Sequence, residues 1–189
     1  MATTNIYPNN DQVTNWTAST GTDLYALIDE SSTDDTDYIS ASATNKISTH
    51  QLTDSSVDLS SATISEINLI FRAKKSGLRV SVLSGLGDPD GASTSYESAT
   101  PLITSYRTYN TTWTTNPFTS AAWTAADIED LKITFKSSIL GMGTVFVSQA
   151  YVEVTYSIGY SNDVAGVGSS NISTINGIAT ADISKVNGV

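Results

Sequence analysis

From Val145 to Tyr156 the chain sets Phe146, Ser148, Ala150, Val152, Val154 and Tyr156 against Val145, Val147, Gln149, Tyr151, Glu153 and Thr155. Twelve residues with a period of two are a long extended strand, because only a pleated backbone sends alternate side chains to opposite faces. A strand of that length needs partners along both edges and a second layer over its apolar face, which points to a sheet-on-sheet domain. The same period recurs at Ile67, Leu69, Phe71 and Ala73, with Asn68, Ile70, Arg72 and Lys74 on the opposite face. It appears again at Leu131, Ile133 and Phe135 against Lys132, Thr134 and Lys136.

Other segments are read less directly. Leu24 to Ile28 is a short apolar run that suggests a first buried strand, and residues 1–22 read as polar and irregular. Leu78 to Leu83 follows Ser76-Gly77 and suggests an antiparallel partner for the strand before it, ending at the breaker-rich stretch Gly85 to Gly91. Leu102 to Tyr109 is a further β-like stretch. One helix is predicted, at Thr124 to Leu131, where Thr124 and Asp127 form a capping box.

With 189 residues the chain holds one ordinary domain and a tail. The expected division is 1–22, a β-sandwich over 23–157, and a C-terminal arm over 158–189, where the composition turns to Gly, Ser, Asn and isolated aliphatics. Within the arm, Ile172, Ile175 and Ile178 around Asn176-Gly177 return eleven positions later as Ile183, Val186 and Val189 around Asn187-Gly188. One such copy is too short to bury its own aliphatic side chains, so the six are the expected docking residues, each contributing ~1.5–3 kcal/mol if fully covered.

A net charge of -10 repels a phosphate backbone, and the absence of Cys removes disulfides, thiolate nucleophiles and Cys-based metal sites. No stretch has the run of ~18 apolar residues that spans a bilayer, and the first twenty residues lack the basic and apolar regions of a secretory signal. The expectations are no nucleic acid, no membrane and synthesis in a cytoplasm, with the sequons at Asn15, Asn110 and Asn171 read as chance matches in a Thr-rich chain.

His50 is the only histidine, so any Ser/His/Asp triad must use it. Its polar surroundings carry no nucleophile motif, and a structural His is the preferred reading. Asp29, Glu30, Asp34, Asp35 and Asp37 offer oxygen ligands to Ca²⁺ but lack the spacing of an EF-hand, which favours a solvated acidic loop. Glu129 and Asp130 are better explained by the capped helix than as paired catalytic carboxylates. Gly85 to Gly91 lacks the Lys of a phosphate loop. No cofactor and no catalytic residue are assigned. Trp113, Trp123, Tyr106, Tyr109 and Phe118 fall close together, and Tyr109, Trp113 and Trp123 are the candidate sugar-stacking faces against a reading of sandwich packing.

The segment Asn116 to Leu131, followed by Val147 to Tyr156, resembles a jelly-roll-like β-sandwich module found in structural proteins of tailed bacteriophages and bacterial surfaces. Trp16, Leu24 to Glu30 and Asp37 to Ile39 look like the start of the same module, and the arm is similar to segments near the ends of phage structural proteins. The resemblance implies an all-β antiparallel sandwich with one short helix and an extended C-terminal arm. It also implies a non-enzymatic, homo-oligomeric virion protein of capsid-decoration or head-fibre type. Such a protein would sit on the outer capsid surface and attach through the arm to the major capsid protein, other virion proteins or neighbouring subunits. The alternative it leaves open is a carbohydrate-binding adhesion module of a tail fibre or surface protein.

Overall fold

The structure, a computed structural model, describes residues 1–88 and 93–158, together with the backbone of 174–175 and 178–179. It is an all-β antiparallel sandwich with one short α-helix. In the first sheet β10 (Arg107–Trp113), β6 (Ala62–Gly77), β12 (Gly143–Ile158), β4 (Ile39–Ala41) and β3 (Thr17–Ala18) follow in that order, and β1 (Ala2–Ile6) also pairs with β12. In the second the order is β2 (Pro8–Thr14), β5 (Ile47–Leu52), β11 (Lys132–Ile139), β7 (Val80–Gly87) and β8 (Thr94–Tyr96), with β9 (Thr100–Pro101) also on β7. The helix α1 (Ala125–Glu129) lies between β10 and β11 in the chain, and its Thr124–Asp127 capping box is formed as the sequence predicts.

The core lies between the sheets. Phe71 of β6 meets Phe135 of β11 edge to face at 5.4 Å, Tyr109 stacks on the other side of Phe71 at 5.6 Å, and Trp16 approaches Phe135 at 6.3 Å. This aromatic line is flanked by Ile67, Leu69, Ile133, Val152 and Val154, all fully buried. The apolar faces of β6 and β11 are those their alternation predicts.

Four expectations are corrected. The alternation of β12 does not continue through one face: Val147 pairs with Ala73 and Gln149 with Arg72, so Ser148 is an extra residue in a β-bulge. That insertion reverses the parity, and the buried apolar residues are Val145, Val147, Ala150, Val152, Val154 and Tyr156, with Ser148 and Gln149 buried at the bulge itself. Second, β6 and β7 are not hydrogen-bonded partners but lie in opposite sheets, because the exposed turn between them passes from one sheet to the other at the end of the sandwich. The Gly85–Gly87 stretch belongs to β7, and a side chain on Gly85 would run into the Ser95 carbonyl of β8.

Third, Leu24 to Ile28 forms a 3-10 turn at Tyr25–Leu27 instead of a strand. Its buried residues Leu24, Leu27 and Ile28 are spaced by three and four, a helical period. Fourth, the segment 1–22 is not irregular. Its strand β1 closes the free edge of β12, with Thr4 and Ile6 pointing inward, and β2 pairs with β5.

In the arm, β13 (Thr174–Ile175) pairs antiparallel with β14 (Ile178–Ala179), Ile175 opposite Ile178, on either side of the Asn176-Gly177 turn signal. Of the six predicted docking residues, Ile172, Ile183, Val186 and Val189 lie outside the described residues, and only the backbone of Ile175 and Ile178 lies within them.

Candidate functional site

The register of β10 decides the fate of the predicted sugar platform. Trp113 lies opposite Ile67 and Tyr109 opposite Phe71, so both share the inward parity of the β6 core residues. Trp113 and Trp123 are 6% and 4% exposed, and the Trp123 indole N–H donates to the Trp113 carbonyl at 3.2 Å. Tyr109 is half-buried against Phe71. The two tryptophans are packed in the core and Tyr109 has a ring face taken by Phe71, so the packing reading is favoured over the stacking one.

The side chains that do face outward on this sheet form rows across its strands. Thr112, Asn68, Glu153 and Asn5 stand side by side on β10, β6, β12 and β1. Asn68 accepts from Thr112 at 3.1 Å and from Asn110 at 3.4 Å. The next row places Asn110, Ile70 and Tyr151 in register, and Tyr7, just beyond β1, packs its ring at 5.6 Å from that of Tyr151. This part of the face is half-buried to exposed and combines two phenol rings and an aliphatic side chain with amides, hydroxyls and a carboxylate.

Nearer the other end of the sheet the face is more tightly knit. Tyr38 and Phe146 meet edge to face at 5.3 Å, and the Lys74 ammonium lies 4.3 Å from the Tyr106 ring centre and 5.3 Å from that of Phe146. Between the two aromatic groups Arg72 grips Asp35 with two hydrogen bonds, 2.7 Å from Nε and 2.6 Å from a terminal nitrogen, and Ser148 adds a third at 3.0 Å. The Arg72 hydrogen bonds hold the Asp35 carboxyl below the usual carboxylate range. Burial, reinforced by Asp35 and Tyr38, pushes the Tyr106 phenol up to about 12. The bulge at Ser148 makes this arrangement possible, since it turns the hydroxyl toward the loop that carries Asp35.

That loop is the acidic segment whose carboxylates offer oxygen ligands to Ca²⁺. Asp35 is spent on Arg72, and Asp34 accepts from the Thr36 N–H and hydroxyl. Burial raises Glu30 above the ordinary range, with Asp29, Asp37 and Asp34 adding repulsion. Among the described residues no group of three or more His, Asp or Glu side chains is placed to hold a metal ion.

His50 occupies a Ser/His/Asp line. Ser48 Oγ lies 2.9 Å from Nε2 and Asp11 Oδ1 lies 2.8 Å from Nδ1, which fits a neutral ring donating from Nδ1–H to Asp11 and accepting from the Ser48 hydroxyl. The connectivity is that of a nucleophilic triad, but Ser48 and His50 are fully buried, so no substrate reaches the hydroxyl. Asp11 also accepts from the backbone N–H of Leu24 and Tyr25, at 2.7 and 2.9 Å, which ties β2, β5 and the 3-10 turn together. The line is structural.

Burial holds His50 below its ordinary pKa of about 6.5 in spite of the Asp11 partner. The unfolded chain therefore takes up the proton first as the pH falls. This contribution is fully present above about pH 6.5 and lost progressively below it, with a limiting slope of ~1.4 kcal/mol per pH unit. Urea melts from pH 7.5 to 5 are expected to show this slope in the native chain and a flatter profile in His50→Gln; parallel profiles would contradict it.

No protein-family model and no curated protein matches the chain. Among solved structures it is similar to a CBM4 carbohydrate-binding module, at 17% identity over 75% of this chain and 95% of that one, with a TM-score of 0.43. It is also similar to the tailspike protein 4 enzymatically active domain of bacteriophage CBA120, at 18% identity over 76% of this chain and 20% of that one, with a TM-score of 0.39. A third is the CBM22-1 xylan-binding domain of Paenibacillus barcinonensis Xyn10C, at 8% identity over 81% and 92%, with a TM-score of 0.33. At these scores the likeness carries no functional argument, and what the chain does chemically rests on its own residues.

Proposed function

We propose that this chain is a non-enzymatic carbohydrate-binding module of a virion fibre or surface protein, whose ligand face is the outer surface of the first sheet around Tyr7, Ile70 and Tyr151. The observation that supports this is the row structure described above. Aromatic and aliphatic side chains suited to the C–H face of a sugar ring share a row with Asn110 and lie one row from Asn68, Thr112 and Glu153, which suit its hydroxyls. All but Tyr7, which directly follows β1, stand on paired strands, so little ordering cost is incurred on binding.

This reverses the order of the two functions the sequence suggests. The virion capsid-decoration reading, drawn from a resemblance, attaches the protein through six arm residues whose side chains are not described, whereas the sheet face offers ligand chemistry in described residues. Glycan-array binding followed by calorimetry tests it. Tyr151→Ala is expected to weaken the best ligand about tenfold, the equivalent of one aromatic contact of ~1.4 kcal/mol, with the melting temperature little changed. An array without hits, or a Tyr151→Ala variant that binds as tightly as the native chain, would overturn it.

A further inference from the structure

The two ends of the sandwich carry opposite charge. At one end lie the β6–β7 turn, the β11–β12 turn, the segment before β10 and the β4–β5 loop, tied by hydrogen bonds from Lys75 N–H to Ile103 O, Asn45 N–H to Ser137 O and Ile139 N–H to Thr44 Oγ1. Residues 42–46, 74–79, 102–107 and 137–146 contain Lys46, Lys74, Lys75, Arg79 and Arg107 and not one carboxylate, in a chain of net charge -10. At the opposite end, residues 53–61 and 114–131 contain Asp54, Asp58, Asp127, Glu129 and Asp130 and no basic residue.

Each end also has an apolar feature of complementary form. Leu78, Leu140 and Met142 project from the two turns of the basic end at 77%, 78% and 89% exposure. The turns are locked to each other: Leu78 N–H donates to Met142 O at 3.1 Å and Leu140 N–H to Arg79 O at 3.1 Å. Gly77, at φ 77°, would drive a side chain into the Met142 carbonyl. The knob is therefore held in shape before any partner arrives. The acidic end holds a cleft of about 500 Å³ with Val57, Leu59, Ala125 and Ile128 as its apolar lining and Asp54, Asp58, Glu129 and Asp130 among its other walls.

We infer that the apolar, basic knob of one copy docks into the acid-walled cleft of a second copy, giving head-to-tail association. The knob and the cleft lie at opposite ends of β6 and β12, so the contact forms between copies and not within one. The charge pattern gives it polarity, since knob against knob and cleft against cleft both set like charges together. Such a heterologous contact propagates as a ring or an open row, and, on the sugar-binding reading proposed above, repeats the ligand face so that binding gains avidity.

Sedimentation and light scattering on the full chain, over a range of concentration and salt, test this. The native protein is expected to associate with rising concentration and to dissociate as salt screens the charged contact. Leu78→Ser with Met142→Ser, and separately Asp54→Lys with Glu129→Lys, are each expected to weaken association at least ~tenfold. A mixture of the two variants restores pairs that stop at two copies, because only one intact knob and one intact cleft remain between them. A native chain that stays monomeric, or either variant associating as well as the native chain, overturns the inference. So does knob-dependent binding to vesicles of phosphatidylserine and phosphatidylcholine without self-association.

Discussion

Asp11→Ala is expected to lower the unfolding free energy by about 3–5 kcal/mol, because it strands three hydrogen-bond donors at ~1–3 kcal/mol each. Asp11 accepts from the Nδ1–H of His50 and from two backbone N–H groups, of Leu24 and Tyr25. His50 is fully buried, and its remaining nitrogen is engaged by Ser48, so the ring cannot swing out to find water. Removing the carboxylate leaves the imidazole N–H and the start of the 3-10 turn without acceptors, and an unmade hydrogen bond in the interior costs the full desolvation of its donor. Asp11→Asn keeps one carbonyl oxygen and is expected to recover part of the loss. Urea denaturation of the three proteins at pH 7.5 measures it; an Asp11→Ala variant within about 1 kcal/mol of the native chain would show that the network adds little.

Trp123→Ala is expected to cost a further ~3–5 kcal/mol by a different route. Its ring is 4% exposed in the core cluster and its N–H reaches the carbonyl of Trp113, so truncation opens a cavity and strands an acceptor together. The variant should lose binding only in proportion to the fraction unfolded, whereas Tyr151→Ala should lose it while folded. Near-UV circular dichroism and ligand titration of both variants separate the two behaviours. A folded Trp123→Ala protein with unchanged stability and abolished sugar binding would return Trp123 to the ligand site.

The candidate face illustrates how sequence and structure divide the work. The outward set Asn68, Ile70, Arg72 and Lys74 is readable from the alternation of β6 alone, since these residues lie beyond its irregularity at Ser65 and parity within such a stretch is a local property. Phe146 is not, because the alternation sets it with Ala150, Val152 and Val154, and the bulge at Ser148, which nothing in the alternation announces, turns it to the outer face. Tyr7 is missed for another reason: the polar N-terminal segment becomes a strand only by pairing with the free edge of β12. The aromatic cluster from Tyr106 to Trp123 misleads, because closeness in the chain says nothing about which sheet face each ring takes.

By itself the sequence determined that this is a β protein with strands at β6, β11 and β12 and one capped helix, because these depend on period-two patterning and on a hydrogen-bonding box spanning three residues. Tertiary structure alone decided which face of β12 is buried on each side of the bulge and that Trp113 and Trp123 belong to the core. It alone joined Asp11 to His50 across 39 positions and gathered the charges of distant loops at opposite ends. A strand pattern defines two faces and leaves them equivalent until a second sheet covers one, so the choice of interior, and with it the outer surface open to a ligand, is made by packing between segments far apart in the chain.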